Sequence, residues 1–498
     1  MPKLFTINPS LAAGRKALAA RRLLPALLAL ALAGCFQVGP DYQKPEVATP
    51  KQWRFADQEA REVANTAWWE QLGDPALNRL VQRGLLGNYD MKIAVANVEK
   101  FVGLYGSTRS NLFPQIAGFG EYSHRQSSGQ LASQGNLGGE EYNYARLGAQ
   151  MNWELDIWGA LRRANEASFA EILAQEAIRR GVVLTLVSDI AQAYVQLRTY
   201  DRDLEITKEV VETLREDLRI RKLRFQEGYT SELEVQQAES EYQRRSAQIP
   251  IYEESIAQTE HALSVLLGRN PGPIERGLPL DQIKLPVVPA GLPSDLLARR
   301  PDIQLAEQTL IAANARIGVA RGQYFPRIAL TGDVGQMGTQ MGTLFTPGAN
   351  FWTIGSTLAT PIFTAGKIAG QVQAAEATQK AALANYQRSI ISAFREFEDS
   401  LVGNIKTKEQ RDKEVQRVTA VQKYFDLSRI RYDEGYTDYI TVLDAVRQLF
   451  DAQIDLIQAQ NANLSATINL YRAMGGGWVV QAEEAAYVPK RAEPSVFP

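Results

Sequence analysis

The sequence predicts a mostly helical protein that also contains membrane-type β-strands, arranged as two copies of one structural unit. Three observations predict this class: an internal repeat, polar and apolar alternation in four short segments, and long stretches with coiled-coil spacing. Each copy is expected to contain a helix, a pair of strands and two long helices joined by a short turn. The predicted fold class is therefore α plus membrane β, with two internal structural repeats.

The internal repeat rests on two motifs that return in the same order. Phe-Pro-Gln-Ile-Ala at residues 113–117 returns as Phe-Pro-Arg-Ile-Ala at 325–329, ahead of a predicted strand in each case. Glu-Gly-Tyr-Thr at 227–230 returns unchanged at 434–437, between two helical stretches. The two halves of the chain are therefore interpreted as structural copies.

The N-terminus has the parts of a secretory signal. Basic side chains precede an apolar run at residues 23–32, and small residues follow it before Cys35, so residues 1–34 are predicted to be a lipoprotein signal peptide. Residues 32–35 resemble the bacterial lipobox, which implies a diacylglycerol and an N-acyl lipid on Cys35. Phe36 stands where an aspartate would retain a lipoprotein in the inner membrane, so the resemblance implies sorting to the outer membrane.

The composition argues against several other classes of protein. The 498 residues carry a net charge of -2, so there is no basic excess for binding nucleic acid. One cysteine and two histidines leave little material for a thiol framework, a zinc cluster or a Cys/His catalytic pair. His124 and His261 are interpreted as solvated or hydrogen-bonded, and the sequence has no GxxxxGK[ST] phosphate loop. We expect no enzyme, no metal site and no cofactor beyond the lipid on Cys35.

Membrane crossing is expected from strands, because no run of about 18 apolar residues follows the signal. In residues 147–157 apolar and polar side chains alternate, as in a strand with one side facing lipid. Weaker strands are predicted at 115–125, 326–334 and 351–362. A half-buried strand of a soluble sheet would alternate in the same way, so this pattern alone leaves both environments open. Water-facing loops rich in glycine and polar residues are predicted at 126–139 and 335–349.

Long helices are predicted at residues 160–226 and 367–433. Each has roughly 67 residues, which at about 1.5 Å per residue gives a length on the order of 100 Å. Apolar side chains recur at alternating steps of three and four in the second copy, which is coiled-coil spacing. At the turns, Gly228 and Gly435 suit a helix end with positive φ, and Ser231 with Glu234 predicts a capping box.

Three further motifs identify a family resemblance that covers essentially the whole mature chain. They are Val-Gly-Pro-Asp-Tyr-Gln-Lys-Pro at 38–45, Trp-Trp at 68–69 with Asp-Pro-Ala-Leu at 74–77, and Arg-Arg-Pro-Asp-Ile at 299–303. In this combination the sequence resembles the TolC-like outer membrane factors, specifically the NodT or OprM type of efflux lipoprotein. The three motifs are long, and together they are highly specific.

The resemblance implies a trimeric twelve-stranded β-barrel, with four strands from each chain, continued by a long α-helical coiled-coil barrel. Four strands cannot close on themselves and an open edge is not tolerated in hydrocarbon, so copies must join their sheets. The repeats are assigned to residues 86–268 and 299–474. A mixed equatorial domain is assigned to 35–85, which carries the lipid anchor, to the linker 269–298 and to the tail 475–498.

The resemblance also implies a constricted periplasmic end. Asp444 matches a ring of carboxylates at the constriction, and Ile440 matches an apolar ring. Because Thr437 and Thr441 replace charged residues of some relatives, packing of Tyr432, Tyr439 and Ile440 is expected to hold the tip more than salt bridges do. Arg431 is interpreted either as a latch or as ordinary surface. Adaptor-docking tips are assigned to Glu227, Gly228, Tyr229, Thr230, Glu434, Gly435, Tyr436 and Thr437.

The expected function is that of a passive exit duct in a tripartite efflux system for antibiotics, solvents or other small molecules. The partners implied are two further copies of the chain, a periplasmic adaptor or membrane fusion protein, an inner-membrane RND transporter and outer-membrane lipids. Protein secretion of type I and metal-ion export remain alternatives within transport. A periplasmic coiled-coil scaffold or adhesin is the alternative from a different class.

Overall fold

The computed structural model describes residues 37–46, 67–126, 141–285, 297 and 299–476. Cys35, the signal peptide and most of the predicted loop at 126–139 lie outside these residues. The helices are α1 (Pro75–Gly87), α2 (Tyr89–Ser110), α3 (Ala160–Gln226), α4 (Glu232–Ser246), α5 (Ile249–Leu266), α6 (Pro301–Gly322), α7 (Lys367–Asp433) and α8 (Tyr439–Ala473). The strands are β1 (Gln115–Gln126), β2 (Glu141–Leu155), β3 (Arg327–Gly338) and β4 (Asn350–Ala359). None of the described helices is both long and apolar enough to cross a membrane.

The chain divides into two compact units, each built from segments of both predicted copies. The first unit takes residues 1–44, 101–172 and 308–383, and it contains all four strands. The second takes 45–100, 173–307 and 384–498, and it contains most of the helical hairpins. The boundaries predicted for the repeats and the equatorial segments stay predictions.

The four strands form one antiparallel sheet in the order β1-β2-β3-β4. β2 and β3 are central, so the strand pair of one copy lies directly beside that of the other. Three predicted strand ends were wrong: β2 begins at Glu141 and not at residue 147, β3 continues to Gly338 and does not end at 334, and β4 ends at Ala359 and not at 362. The segment predicted as a loop up to residue 349 also contains two short 3-10 turns, Met341–Thr343 and Pro347–Ala349. Ladder pairing from Ala145 to Gly338 extends β3 in spite of its glycines.

The sheet is amphipathic, because directly paired residues share a face and side chains alternate along each strand. One face carries mainly apolar side chains on all four strands: Ile116, Leu147, Met151, Trp153, Leu330, Val334, Trp352, Ile354 and Leu358. The opposite face carries charged and polar side chains: Glu121, Arg125, Arg146, Gln150, Asn152, Asp333, Thr353 and Thr357. On the polar face Arg146 lies 3.6 Å from Asp333, across strands β2 and β3.

A cross-strand row of two phenylalanines and two glycines interrupts the polar face. Phe119 pairs with Gly148, which pairs with Gly335, which pairs with Phe351. A Cβ on Gly335 would lie 2.2 Å from the Leu147 carbonyl oxygen, so only glycine fits there. The Arg146 guanidinium lies 4.3 Å from the Phe119 ring centroid and 4.8 Å from that of Phe351, within cation–π range.

The long helices have the bounds that the sequence predicts. Helices α3 and α7 each contain 67 residues. In the second unit their apolar stripes pack with α8 and α1 into one core, because each stripe must be removed from water. Its fully buried members include Ile190, Tyr194, Phe397, Ile468 and Tyr471.

The returning helices of the two copies differ. In the second copy α8 runs for 35 residues without interruption. In the first copy the return is divided into α4 and α5, with the break at Ala247 and Gln248. Pro250 lies in the first turn of α5 and has no N–H to continue the ladder, which explains the division. The expectation of one long returning helix in the first copy was wrong.

The family motif at residues 68–69 and 74–77 proves to be structural. Asp74 is fully buried, caps α1 through Ala76 N at 2.8 Å, and accepts hydrogen bonds from Tyr194 Oη at 2.7 Å and Leu278 N at 2.9 Å. Trp68 stacks on Tyr471 with ring centroids 5.2 Å apart. These contacts join the start of α1 to the long helices of the second unit.

Candidate gate at the hairpin tips

The two Glu-Gly-Tyr-Thr turns adopt the same local conformation. Gly228 has φ 75° and Gly435 has φ 77°, which confirms the predicted left-handed helix ends. In each turn the tyrosine N–H donates to the carbonyl oxygen of an arginine five residues earlier, at 2.8 Å, as in Tyr229 to Arg224. The repeat therefore extends to individual hydrogen bonds at the tips.

Both tips present tyrosine rings to solvent. Tyr229 is 83% exposed and Tyr436 is 75% exposed, and Leu233 in the first turn of α4 is exposed as well. Exposed apolar side chains grouped on a small surface are typical of a protein contact site. All eight residues assigned to docking lie in these two turns.

The predicted capping box is only half formed. Ser231 Oγ accepts a long hydrogen bond from Glu234 N at 3.5 Å. The Glu234 carboxylate does not complete the box, because it accepts from Tyr432 Oη at 3.2 Å and lies 3.6 Å from the Arg221 guanidinium. Glu234 therefore links the two hairpins.

Arg221 is the centre of a buried polar cluster beneath the tips. Its side chain is 8% exposed and lies 3.1 Å from Asp217 on the same helix, α3. It also donates to Tyr432 Oη on α7, and its guanidinium lies 4.3 Å from the ring centroid of Tyr439 on α8. With Glu234 on α4, this single cation contacts side chains from four helices of the second unit.

Two tyrosines complete the cluster. Tyr439 Oη donates to Asp217 Oδ2 at 2.6 Å, and the rings of Tyr432 and Tyr439 meet edge to face with centroids 5.9 Å apart. Burial raises the pKa of Tyr439, and its hydrogen bond to Asp217 raises that pKa further. Burial alone would lower the pKa of Arg221, but Asp217 and Tyr432 outweigh it and raise that pKa. Tyrosine stays neutral and arginine stays charged at physiological pH.

Within one chain the structure brings together only some of the residues predicted to hold the tip. Tyr432 and Tyr439 do pack together, but Ile440 is exposed and lies outside their contact. Charged groups link the hairpins as well, through Arg221 and not through Arg431. Arg431 is exposed and has no ion pair within the described residues. Sequence reasoning missed Arg221 because, apart from Asp217, its partners lie on other helices, and the two tyrosines are about 210 residues away in the chain.

The predicted constriction residue, Asp444, is exposed on α8. It accepts hydrogen bonds from Gln448 Nε2 at 2.7 Å and from Tyr424 Oη at 3.3 Å. These polar partners leave its carboxylate facing solvent. The roles assigned to Asp444, Ile440 and Arg431 stay predictions. No cluster of three or more possible metal ligands occurs among the described residues.

A sheet with one apolar and one polar face and helices of 67 residues are both features of outer-membrane channel proteins. The chain belongs to the outer membrane efflux protein family, whose model matches residues 80–269 and 292–476. It is thus an efflux channel of the outer membrane.

Similar proteins cover nearly the whole chain. The solvent efflux pump outer membrane protein SrpC of Pseudomonas putida is 36% identical over 465 residues, 92% of this chain and 98% of that protein. The probable outer membrane lipoprotein SilC of Salmonella typhimurium is 31% identical over 465 residues, 90% of this chain and 97% of that protein. The solved outer-membrane channel OprN has a TM-score of 0.82 at 29% identity, covering 89% of this chain and 99% of its own.

Proposed function

We propose that three copies of this chain form a passive duct that releases small apolar molecules, such as solvents and antibiotics, through the outer membrane. The observation that carries the proposal is the amphipathic sheet, because its polar face suits an aqueous lumen and its apolar face suits lipid. The efflux of solvent named for SrpC supports this class of cargo.

The edges of the sheet support assembly from several chains. Among the described residues β1 pairs only with β2, and β4 pairs only with β3. Each edge strand therefore has backbone groups that would be unsatisfied in hydrocarbon. Pairing of β1 with β4 of another copy satisfies both edges, and three copies give a closed barrel of twelve strands.

The tip supplies the gate of the proposed duct. The Arg221 cluster ties the first hairpin to the second, so it stabilises the resting arrangement of the tips. A periplasmic adaptor that binds the exposed Tyr229 and Tyr436 tips shifts the equilibrium towards the open state by binding that state more tightly. The duct itself is passive, and an inner-membrane RND transporter supplies the energy.

The chain is proposed to be held in the membrane by lipid on Cys35 as well as by its strands. The lipobox at residues 32–35 supports this anchor, and SilC is named a lipoprotein. Acyl chains contribute about 0.8 kcal/mol for each buried CH₂ group.

The proposed function is tested by deleting the gene and measuring sensitivity to solvents, antibiotics, dyes and metals. We expect sensitivity to apolar solvents and antibiotics to rise and to return to normal when the gene is restored. Purified protein should conduct ions in planar bilayers. A strain without this gene and its paralogues that keeps normal sensitivity throughout the panel would contradict the proposal.

Replacing Asp444 tests the predicted constriction. Three carboxylates that converge on one axis repel each other and attract cations. Asp444→Ala is expected to raise the resting conductance, reduce cation selectivity and increase sensitivity to vancomycin. Asp455→Ala on the same helix is the matched control, because Asp455 pairs with Arg417. Wild-type conductance and vancomycin sensitivity in Asp444→Ala would remove Asp444 from the gate.

A further inference from the structure

The residues that follow the lipid-modified cysteine are fastened to the first unit. We name residues 37–41 the strap. Val38 N donates to the Trp158 carbonyl oxygen at 3.0 Å, just after the end of β2. The Pro40 carbonyl oxygen accepts a hydrogen bond from Asn314 Nδ2 on α6 at 2.9 Å. The strap backbone is therefore hydrogen-bonded both to the segment after β2 and to a side chain of α6.

Arg163 binds the strap through its guanidinium group. Its side chain is 3% exposed, and it forms an ion pair with Asp41 Oδ1 at 2.6 Å. The same guanidinium donates to the Val38 and Gly39 carbonyl oxygens at 3.4 Å. The same guanidinium pairs with Glu166 on its own helix at 2.8 Å, which holds the arginine in place. Displacing the strap would therefore remove three of the acceptors of a positioned, buried arginine.

Glycines at three points allow the strap to lie against the unit. Gly39 has φ 101°, and a Cβ there would be 2.5 Å from Gly318 Cα. A Cβ on Gly318 would be 2.6 Å from the Val38 carbonyl oxygen, and one on Gly159 would be 2.7 Å from Gln37 Cγ. These approaches explain the glycine at position 39, and the ion pair with Arg163 explains Asp41. Val38 is buried, and Pro40 contributes its carbonyl oxygen.

The strap ends beside an exposed apolar border of the sheet. We name this border the rim, and it consists of side chains at the helix-side ends of all four strands: Phe113, Ile157, Tyr324, Ile362 and Phe363. Trp158, which accepts the bond from Val38, stacks on Phe325 with ring centroids 4.9 Å apart. Ile157 and Tyr324 are the rim residues that directly precede these two rings in the sequence.

The chain length between strap and anchor is short. Cys35 precedes Gln37 by two residues, which can span at most about 7 Å. Gln37 lies against Gly159, two residues after the exposed side chain of Ile157. Exposed apolar side chains of this kind suit contact with acyl chains.

We propose that the strap seats the N-terminal acyl group against the rim at Ile157 and Tyr324, so that the anchor is a fixed part of the membrane-facing surface. A free tether would instead let the acyl chains sample the bilayer around the whole protein. The inference rests on the proposed lipidation of Cys35 and adds to it the position of the lipid on the folded chain.

The test uses the full-length protein in cells fed a fatty acid with a photoreactive diazirine. After irradiation of outer membranes, mass spectrometry identifies peptides cross-linked to the N-terminal lipopeptide, which separates the protein's own lipid from bulk phospholipid. We expect cross-links to concentrate on the peptides that contain Ile157 and Tyr324. Cross-links spread evenly over the rim would overturn the proposal.

Strap variants make the test specific. Asn314→Ala and Asp41→Ala each remove one contact of the strap, and Gly318→Ala displaces it sterically; Asp41 is exposed, so its loss leaves the core intact. In these variants the preference for Ile157 and Tyr324 is expected to be lost. Arg316→Gln is the control, because Arg316 on the same helix pairs with Glu171.

The possible outcomes distinguish the position of the acyl group on the rim, which we call the seat, from the presence of the lipid anchor. An unchanged cross-link pattern in all three strap variants would overturn the seat while leaving the lipid anchor in place. A mature N-terminus without acyl mass would overturn both the anchor and the seat.

Discussion

Arg221→Met is expected to raise the resting conductance of the channel severalfold. Methionine has a side chain of similar size but carries no charge and no N–H donor. Asp217 and Glu234 therefore lose their cationic partner, and Tyr432 Oη loses the hydrogen bond that it accepts. Breaking a buried ion pair by removing one partner typically costs about 3–5 kcal/mol. Because about 1.4 kcal/mol changes an equilibrium tenfold, even part of this loss shifts the tips towards the open state.

Single-channel recording in planar bilayers measures this effect, and uptake of vancomycin measures it in cells. Arg219→Met is the matched control, since Arg219 lies two residues away on α3, is exposed, and among the described residues pairs only with Glu216. Tyr439→Phe removes the donor to Asp217 and should act in the same direction with a smaller effect. Equal resting conductance in Arg221→Met, Arg219→Met and the wild type would show that the cluster does not hold the tip.

Asp203→Asn is expected to stabilise the second unit at pH 8 and to have little effect at pH 4. Asp203 on α3 is fully buried, accepts one hydrogen bond from Gln458 Nε2 at 2.9 Å, and has a second carboxylate oxygen without a partner among the described residues. Burial raises the pKa of Asp203 to about 7. An unfolded aspartate has a pKa of about 3.9, so the folded state binds the proton more tightly.

The direction in which pH changes the folding stability follows from the difference between the folded and unfolded pKa of Asp203. Between about pH 4 and 7 the folded state holds a proton that the unfolded state releases, so stability falls as the pH rises through this window. Above pH 7 the carboxylate is charged and buried, and a difference of about three pKa units corresponds to about 4 kcal/mol. Asparagine keeps an acceptor for Gln458 and carries no charge, which removes the penalty.

Thermal unfolding followed by circular dichroism between pH 4 and 8 measures the effect. The Asp203→Asn and wild-type midpoints should coincide near pH 4 and separate by several degrees at pH 8. Asp426→Asn provides the control, because Asp426 also accepts from a glutamine, Gln422, but lies exposed on α7. A constant separation between Asp203→Asn and wild type at every pH would contradict a titrating Asp203.

Elements with a strong local pattern could be predicted from the sequence. Helix α7 has coiled-coil spacing that no proline interrupts, and α3 is its proline-free counterpart in the first copy. The glycine turns follow from the backbone conformation that a helix end requires. The end of β3 could not be predicted in this way. Glycines at its end suggest a loop, but pairing with β2 extends the strand to Gly338.

The candidate site at the tips was predicted only in part, because contacts between distant segments leave no local signal in the sequence. Tyr432 and Tyr439 lie near each other in the sequence, and their packing could be anticipated. Arg221 meets them only because two hairpins that are far apart in the chain fold against each other. No local signal distinguishes Arg221 from the other arginines of α3, whose partners are mostly three or four residues away.

The break beside Pro250 means that the duplicated halves have acquired different mechanical properties. A rod in two pieces can bend where its pieces meet, whereas the uninterrupted α8 transmits displacement along its full length. Exchanging the returning segments of the two halves would therefore not regenerate the same molecule. The two halves share one plan, but the returning segment is divided beside a proline in the first half and is one continuous helix in the second.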